Sequence, residues 1–141
     1  MWKNKYTIDE CNKICENTIH DALGIKLTEV GADFLKGTMP VDDRTVQPFR
    51  LLHGGASVVL AESLGSLASV MMIDQDRNIC VGLDVNANHV RAAKSGIVTG
   101  VAKPINIGGK IHIWEIKITN EADKLVCIVR LTVTVLPKGK I

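Results

Sequence analysis

Glu62 is the residue with the most chemistry to offer. It lies in the run Val58-Val59-Leu60-Ala61-Glu62-Ser63-Leu64, inside a Pro-free segment whose apolar residues fall on every helical side. A carboxylate among such neighbours is costly unless it is paired, hydrogen-bonded or used. Burial in general favours the neutral form of a carboxyl group, and a carboxylate kept in such a place is a candidate for proton exchange. The competing role is structural, a carboxylate that faces a polar gap or a subunit boundary and fixes helix register. Ser66 is one turn beyond on the same face and can hold a water or the carboxylate, whereas Ser63 and Ser69 are expected off that face.

Immediately before this segment stands His53-Gly54-Gly55, where two glycines present bare backbone N–H groups at the positive end of a helix dipole. An oxyanion developing on a carbonyl is stabilised in such a place, each well-aimed donor contributing roughly 2.7–4 kcal/mol. The alternative is a strand-to-helix turn that needs Gly for its conformation alone, with His53 as a cap. Gln47, in the preceding polar loop, is an amide able to aim at a carbonyl or to brace the loop. Gly54 and Glu62 stand about 12 Å apart along a helix, so one carbonyl cannot touch both within one chain. If both act on one carbonyl, Glu62 of one chain faces the Gly54 amide of another, at a dimer interface.

The remaining candidates are weaker. His89-Val90-Arg91, with the Gly108-Gly109 amides and Lys110, can grip phosphates or form an ordinary solvated rim of strand ends. No Gly-x-Ser-x-Gly elbow occurs, and neither Cys11 nor Cys15 has a His nearby in sequence, so the usual nucleophile signatures are missing. The four cysteines show no metal spacing and are expected as reduced, mostly buried thiols. His20 and His112 carry no supporting context.

The elements that must position these groups follow from periodicity. Ile8 to Leu23 predicts a lead-in helix, with Thr7 as N-cap and Glu10 at the capping-box offset. Ile25–Val30 and Phe34–Met39 alternate around a turn as a β-hairpin, and a polar loop, Val41 to Pro48, leads to one long helix over Gly54–Met72. Four β-branched runs follow, Ile79–Val90, Gly96–Ile107, Lys110–Asn120 and Leu125–Leu136. The expected fold is α+β, an antiparallel sheet of about six strands curled around a long central helix that protein surrounds on all sides. Its open edges predict pairing with a second copy.

The 141 residues fit a single domain, 1–141. Apolar types make up 46% and charged types 23%, which argues against disorder, and 17 Lys and Arg against 15 Asp and Glu leave a net charge of +2, too small to indicate a nucleic-acid or membrane surface. The most apolar stretch, Ala56–Ile73, is interrupted by Glu62 and four serines, and the N-terminus lacks an apolar signal core. A cytoplasmic location is expected.

The stretch Pro40-Val-Asp-Asp-Arg-Thr-Val-Gln47-Pro-Phe49, followed by Leu52-His53-Gly54-Gly55-Ala-Ser-Val-Val-Leu-Ala-Glu62-Ser63 and later by Val81-Gly82-Leu83 and Asn86-Ala-Asn-His89-Val90-Arg91, closely resembles the hotdog-fold acyl-CoA thioesterases. The likeness runs from about Trp2 to Leu136. It implies thioester hydrolysis on an acyl-CoA substrate with no metal or redox cofactor, Glu62 acting as nucleophile or as the base that activates water. By the resemblance, Gly54 polarises the carbonyl, Gln47 and His53 orient it, and Ser66 assists the water. Gly82, the stretch His89, Val90, Arg91 and Ala92, and the loop Asn106, Ile107, Gly108, Gly109, Lys110 and Ile111 then hold coenzyme A. The family also implies a homodimer that forms the site and a homotetramer of two dimers. Arg50 departs from the family, where Gly commonly follows Pro-Phe, and so does the helix exit from Ser69 to Asn78.

Two other readings compete. A non-catalytic acyl-CoA-binding hotdog sensor or carrier needs an output element, yet only about twenty residues precede the first strand. A hotdog dehydratase leans on a His with an acidic partner rather than on a mid-helix Glu after His-Gly-Gly.

Overall fold

A computed structural model describes residues 1–141. Two short helices, α1 (Ile8–Ile14) and α2 (Ile19–Leu23), precede the hairpin β1 (Lys26–Val30) and β2 (Leu35–Pro40). The long helix α3 (Gly54–Val70) follows, then β3 (Asn78–His89), β4 (Ile97–Ile107), β5 (Ile111–Thr119) and β6 (Leu125–Pro137). The six strands form one antiparallel sheet in the order β1-β2-β4-β5-β6-β3. This is the α+β architecture expected from the periodicities.

The lead-in helix is two helices rather than one. Thr7 and Glu10 form the capping box of α1, but Asn17 takes φ 59°, in the left-handed region, and Thr18 restarts the chain as the N-cap of α2. Ile14 and Ile19, read from sequence as one helical face, are each 52% exposed instead of packed in the core.

α3 lies against the inner face of the sheet because its small and large residues mesh with the strands. Leu60, Ala61, Leu64 and Ala68 are fully buried with Trp114, Ile116, Ile118 and Leu131. A Cβ on Gly65 would come 2.5 Å from Leu131, and one on Gly100 would come 2.7 Å from Leu64, so these two glycines let helix and sheet approach. Trp114 stacks on Trp2 at 6.4 Å and donates through Nε1 to Ser69 Oγ at 2.7 Å, which ties the helix exit to β5. Ser69 is therefore a packing residue.

The helix is not surrounded on all sides. Val58, Val59, Glu62, Ser63, Ser66 and Val70 are only half-buried and recur at helical spacing, forming a stripe that the chain itself leaves uncovered. The two sheet edges also differ. β1 is short, carries Lys26 and Glu29 and has a register irregularity between Leu27 and Glu29, all features that discourage further pairing. β3 is a 12-residue edge on which Leu83 is 61% exposed, with a bulge between Gly82 and Asp84.

Candidate active site

Glu62 sits at the midpoint of α3, where the half-buried stripe meets β3. A Cβ on Gly82 would overlap its carboxylate, so the absence of a side chain at Gly82 is what seats Glu62 against the strand. None of the chain's five ion pairs involves Glu62. The side chain is half-buried in the single chain rather than enclosed, which corrects the expectation of a carboxylate hidden by its own fold. It lines a cavity of about 450 Å³ between α3 and the two N-terminal helices, together with Ser66, Val59, Leu67 and Val70. That volume lies in the range of small-molecule sites. Ser63 also lines it, contrary to its expected place off the face.

The other helix end carries different chemistry. His53 is the N-cap of α3, and its Nδ1 accepts from the Gly55 N–H at 2.8 Å. Ala56 and Ser57 donate to the His53 carbonyl, which leaves the Gly54 amide with no acceptor in the chain. Neither glycine has a positive φ, so conformational freedom is not their reason. At Gly54 the reason is space, because a Cβ would stand 2.8 Å from His89 Nε2. Gly54 lines a second cavity of about 440 Å³ with Gln47, His89, Val90, Arg91 and Ala92. Gln47 Oε1 accepts the Phe49 N–H in a loop brace, while its Nε2 remains able to donate. Arg91 is anchored through Nε to the Leu125 carbonyl at 3.2 Å.

The expected site residues thus fall into two groups at opposite ends of the sheet. His89 pairs with Cys127 and Ile111 with Thr134, seven residues further along β6, about 23 Å at roughly 3.3 Å per residue. The turn Asn106–Ile111, closed by the Gly108 N–H to the Ile111 carbonyl at 2.9 Å, is consequently remote from His89–Ala92. It stands at the end where Gly82 pairs with Val133 and Glu62 rests. One chain does not unite the Gly108-Gly109 amides with Arg91 in a single phosphate grip. Nor does it bring Gly82 to the cavity that holds Gly54.

Sequence reasoning passed over His20, which lines the Glu62 cavity with Cys15, Thr18 and Ile19. The signal available was the short Thr18-Ile19-His20 repeat of the cap-then-helix pattern. Burial, and secondarily the charge of Asp21, pushes the Cys15 thiol above its ordinary range, which keeps it protonated and a poor nucleophile. Burial likewise pushes Cys80 up to about 11. All four cysteines are free. No group of three or more His, Cys, Asp or Glu side chains converges as a metal site, and no helix is long and apolar enough to cross a membrane.

Known proteins resemble this chain over nearly its whole length. Residues 49–127 match the thioesterase superfamily family model. The chain is 47% identical over 136 residues to the 1,4-dihydroxy-2-naphthoyl-CoA hydrolase of Escherichia coli K12, covering 96% of this chain and 99% of that one. It superposes on a mutant thioesterase from Pseudomonas aeruginosa with a TM-score of 0.95 at 48% identity, covering 96% and 98% of the two chains. A thioesterase from Haemophilus influenzae gives 0.94 at 46% identity, with 99% and 96% covered. A sheet curled about one helix, an unpaired carboxylate in mid-helix, a free amide at the helix start and these likenesses lead to one conclusion: the chain belongs to the thioesterase superfamily, with the hotdog fold, and is a thioester hydrolase.

Proposed function

We propose that the protein hydrolyses an aromatic or medium-chain acyl-CoA thioester to the free acid and coenzyme A, at a site shared between two copies. The observation that carries this reading is the separation of the two groups. Glu62 and Ser66 line one cavity, while the Gly54 amide, Gln47 and His89–Ala92 line another. Two copies paired antiparallel along their long β3 edges bring the first group of one against the second group of the other, and cover Leu83 and the exposed stripe of α3. The likeness to a 1,4-dihydroxy-2-naphthoyl-CoA hydrolase supports an aromatic acyl group. The dimer of dimers expected from the family and a cytoplasmic location belong to the same proposal.

In the shared site the thioester carbonyl oxygen accepts from the Gly54 N–H of one copy, aided by the dipole of α3 and by Gln47 Nε2. Glu62 of the other copy then acts in one of two ways. As base, it takes a proton from water while the oxygen attacks the carbonyl carbon, and the tetrahedral intermediate expels the coenzyme A thiolate, which takes up that proton. As nucleophile, its oxygen displaces the thiolate to give a mixed anhydride that water then opens, regenerating the carboxylate. Ser66 orients the water in either case. His89–Ala92, Gly82 and the turn Asn106–Ile111 are assigned to coenzyme A, distributed over the two copies.

The test is thiol release across benzoyl-, hydroxynaphthoyl- and straight-chain acyl-CoA, run with the wild type and Glu62→Ala. The expected result is one thiol per acid formed by the wild type, with an aromatic or medium-chain substrate best. Turnover of none of these thioesters, or unchanged turnover by the variant, contradicts the proposal.

A further inference from the structure

The cavity at the start of α3 gathers more donors than the Gly54 amide. Gln47, Ser57 and Arg91 line it as well, and its own chain brings no carboxylate to it. Ser57 stands out among them because it belongs to the buried face of α3 and is only 1% exposed. A serine inside a helix ordinarily gives its hydroxyl proton to the carbonyl four residues back. The Ser57 hydroxyl is left without that acceptor. The carbonyl is the one of His53, and it already accepts the Ala56 and Ser57 N–H groups at 3.0 and 3.2 Å, which occupies both lone pairs.

A buried hydroxyl left unpaired is costly and calls for an explanation. Ser57 Oγ is not sealed off, however. The unpaired side-chain polar atoms that solvent cannot touch are His20 Nε2 and His112 Nδ1, and Ser57 Oγ is not among them. Little of Ser57 is open, so the opening lies at the hydroxyl and faces the cavity that the residue lines. The helix also aims it. Gly54 and Ser57 are three residues apart on α3, so they share a face at about 4.5 Å along the axis. A helical side chain tilts toward the N-terminus and covers the turn before its own Cα. The Ser57 hydroxyl therefore projects toward the turn that begins with the free Gly54 N–H.

We propose that Ser57 is a further catalytic residue, whose hydroxyl donates to the same thioester oxygen that the Gly54 N–H holds. This rests on the assignment of the Gly54 amide to that oxygen. As the tetrahedral intermediate forms, the oxygen gains negative charge and a third lone pair, so it takes more donors than the ground-state carbonyl does. A hydroxyl with no acceptor in its own chain breaks no existing bond to supply one. The hydrogen bond strengthens as charge develops, which places its benefit on kcat rather than on binding.

The experiment measures kcat and KM for thiol release from the best acyl-CoA substrate in the wild type, Ser57→Ala and Ser57→Cys. Alanine removes only the oxygen and suits a helix interior, while cysteine keeps the bulk but is a weak donor. Both variants should lower kcat about 10- to 100-fold with KM within about twofold of the wild type. An infrared difference spectrum supplies a readout that packing alone does not move. With Glu62→Ala holding a carbonyl-labelled acyl-CoA uncleaved, adding Ser57→Ala should shift the bound carbonyl band to higher wavenumber, because a donor is lost. Unchanged kcat in Ser57→Ala, full activity in Ser57→Cys, a raised KM with kcat intact, or an unshifted carbonyl band overturns the role of Ser57 and leaves hydrolysis at the Gly54 amide standing. Failure of the wild type to cleave any of the thioesters overturns the acyl-CoA assignment beneath it.

Discussion

The two ends of α3 are built on opposite principles. At the Gly54 end the backbone supplies the chemistry. A capping His53 consumes the Gly55 amide and leaves the Gly54 amide free, while His89 closes over the space that a side chain would fill. At the Glu62 end a side chain supplies it, seated by the missing side chain of Gly82 and set in a cavity walled by two short helices. Under the proposed function each end is incomplete alone. The difference teaches that one rigid helix presents a free amide and a carboxylate about 12 Å apart, too far for one carbonyl within one chain, and this spacing is what the proposed shared site rests on.

The comparison breaks most sharply at the carboxylate. Glu62→Ala should lower kcat by about 10³-fold or more, with little change in coenzyme A affinity, as measured by steady-state kinetics and product inhibition. Next comes the amide. Gly54 occupies the first position of α3, where Pro is tolerated but has no N–H, so Gly54→Pro should cost about 10²–10³ in kcat without unfolding the helix. Gly54→Ala keeps the donor and should lose much less, the exposed His89 ring shifting to accommodate the methyl group.

Gly82 distinguishes a seat for the carboxylate from a coenzyme A contact. A methyl group there displaces the Glu62 carboxylate, so Gly82→Ala should reduce kcat by about 10-fold or more. A purely coenzyme A-binding role would instead raise KM with kcat intact. The smallest effect belongs to the loop that feeds the Gly54 end. Arg50 takes φ 63°, a conformation that favours Gly, and its ion pair with Asp43 is exposed on both sides. Arg50→Gly should therefore stabilise the fold by about 0.5–1 kcal/mol, seen as a Tm higher by roughly 2–4 °C.

Most of the scaffold was legible because its signals are local. The period-2 runs marked all six strands within a few residues, and the Pro-free apolar run marked α3. The Gly that the resemblance puts after Pro-Phe has a backbone reason, the left-handed φ at that position, which Arg50 adopts at a cost. Other features depend on tertiary placement and leave no local trace. That Ile14 and Ile19 line a cavity rather than the core depends on the break at Asn17 and Thr18. His20 was passed over because its place on the wall of the Glu62 cavity depends on a helix some forty residues on. That one chain holds Gly108-Gly109 and Arg91 apart was illegible for the same reason, since sequence order does not say at which end of β6 each turn falls. The half-exposed face of α3 escaped periodicity because the pattern records apolarity and does not distinguish a covering of own strands from a covering supplied by a partner or substrate.

The most direct test of a shared site is complementation between two disabled subunits. Glu62→Ala chains retain an intact Gly54 amide, and Gly54→Pro chains retain an intact Glu62. In a verified heterodimer one of the two sites then combines both intact groups while the other combines both defects, so activity should return to about half that of the wild-type dimer. Heterodimers no more active than the two parent variants would contradict a site assembled from both copies.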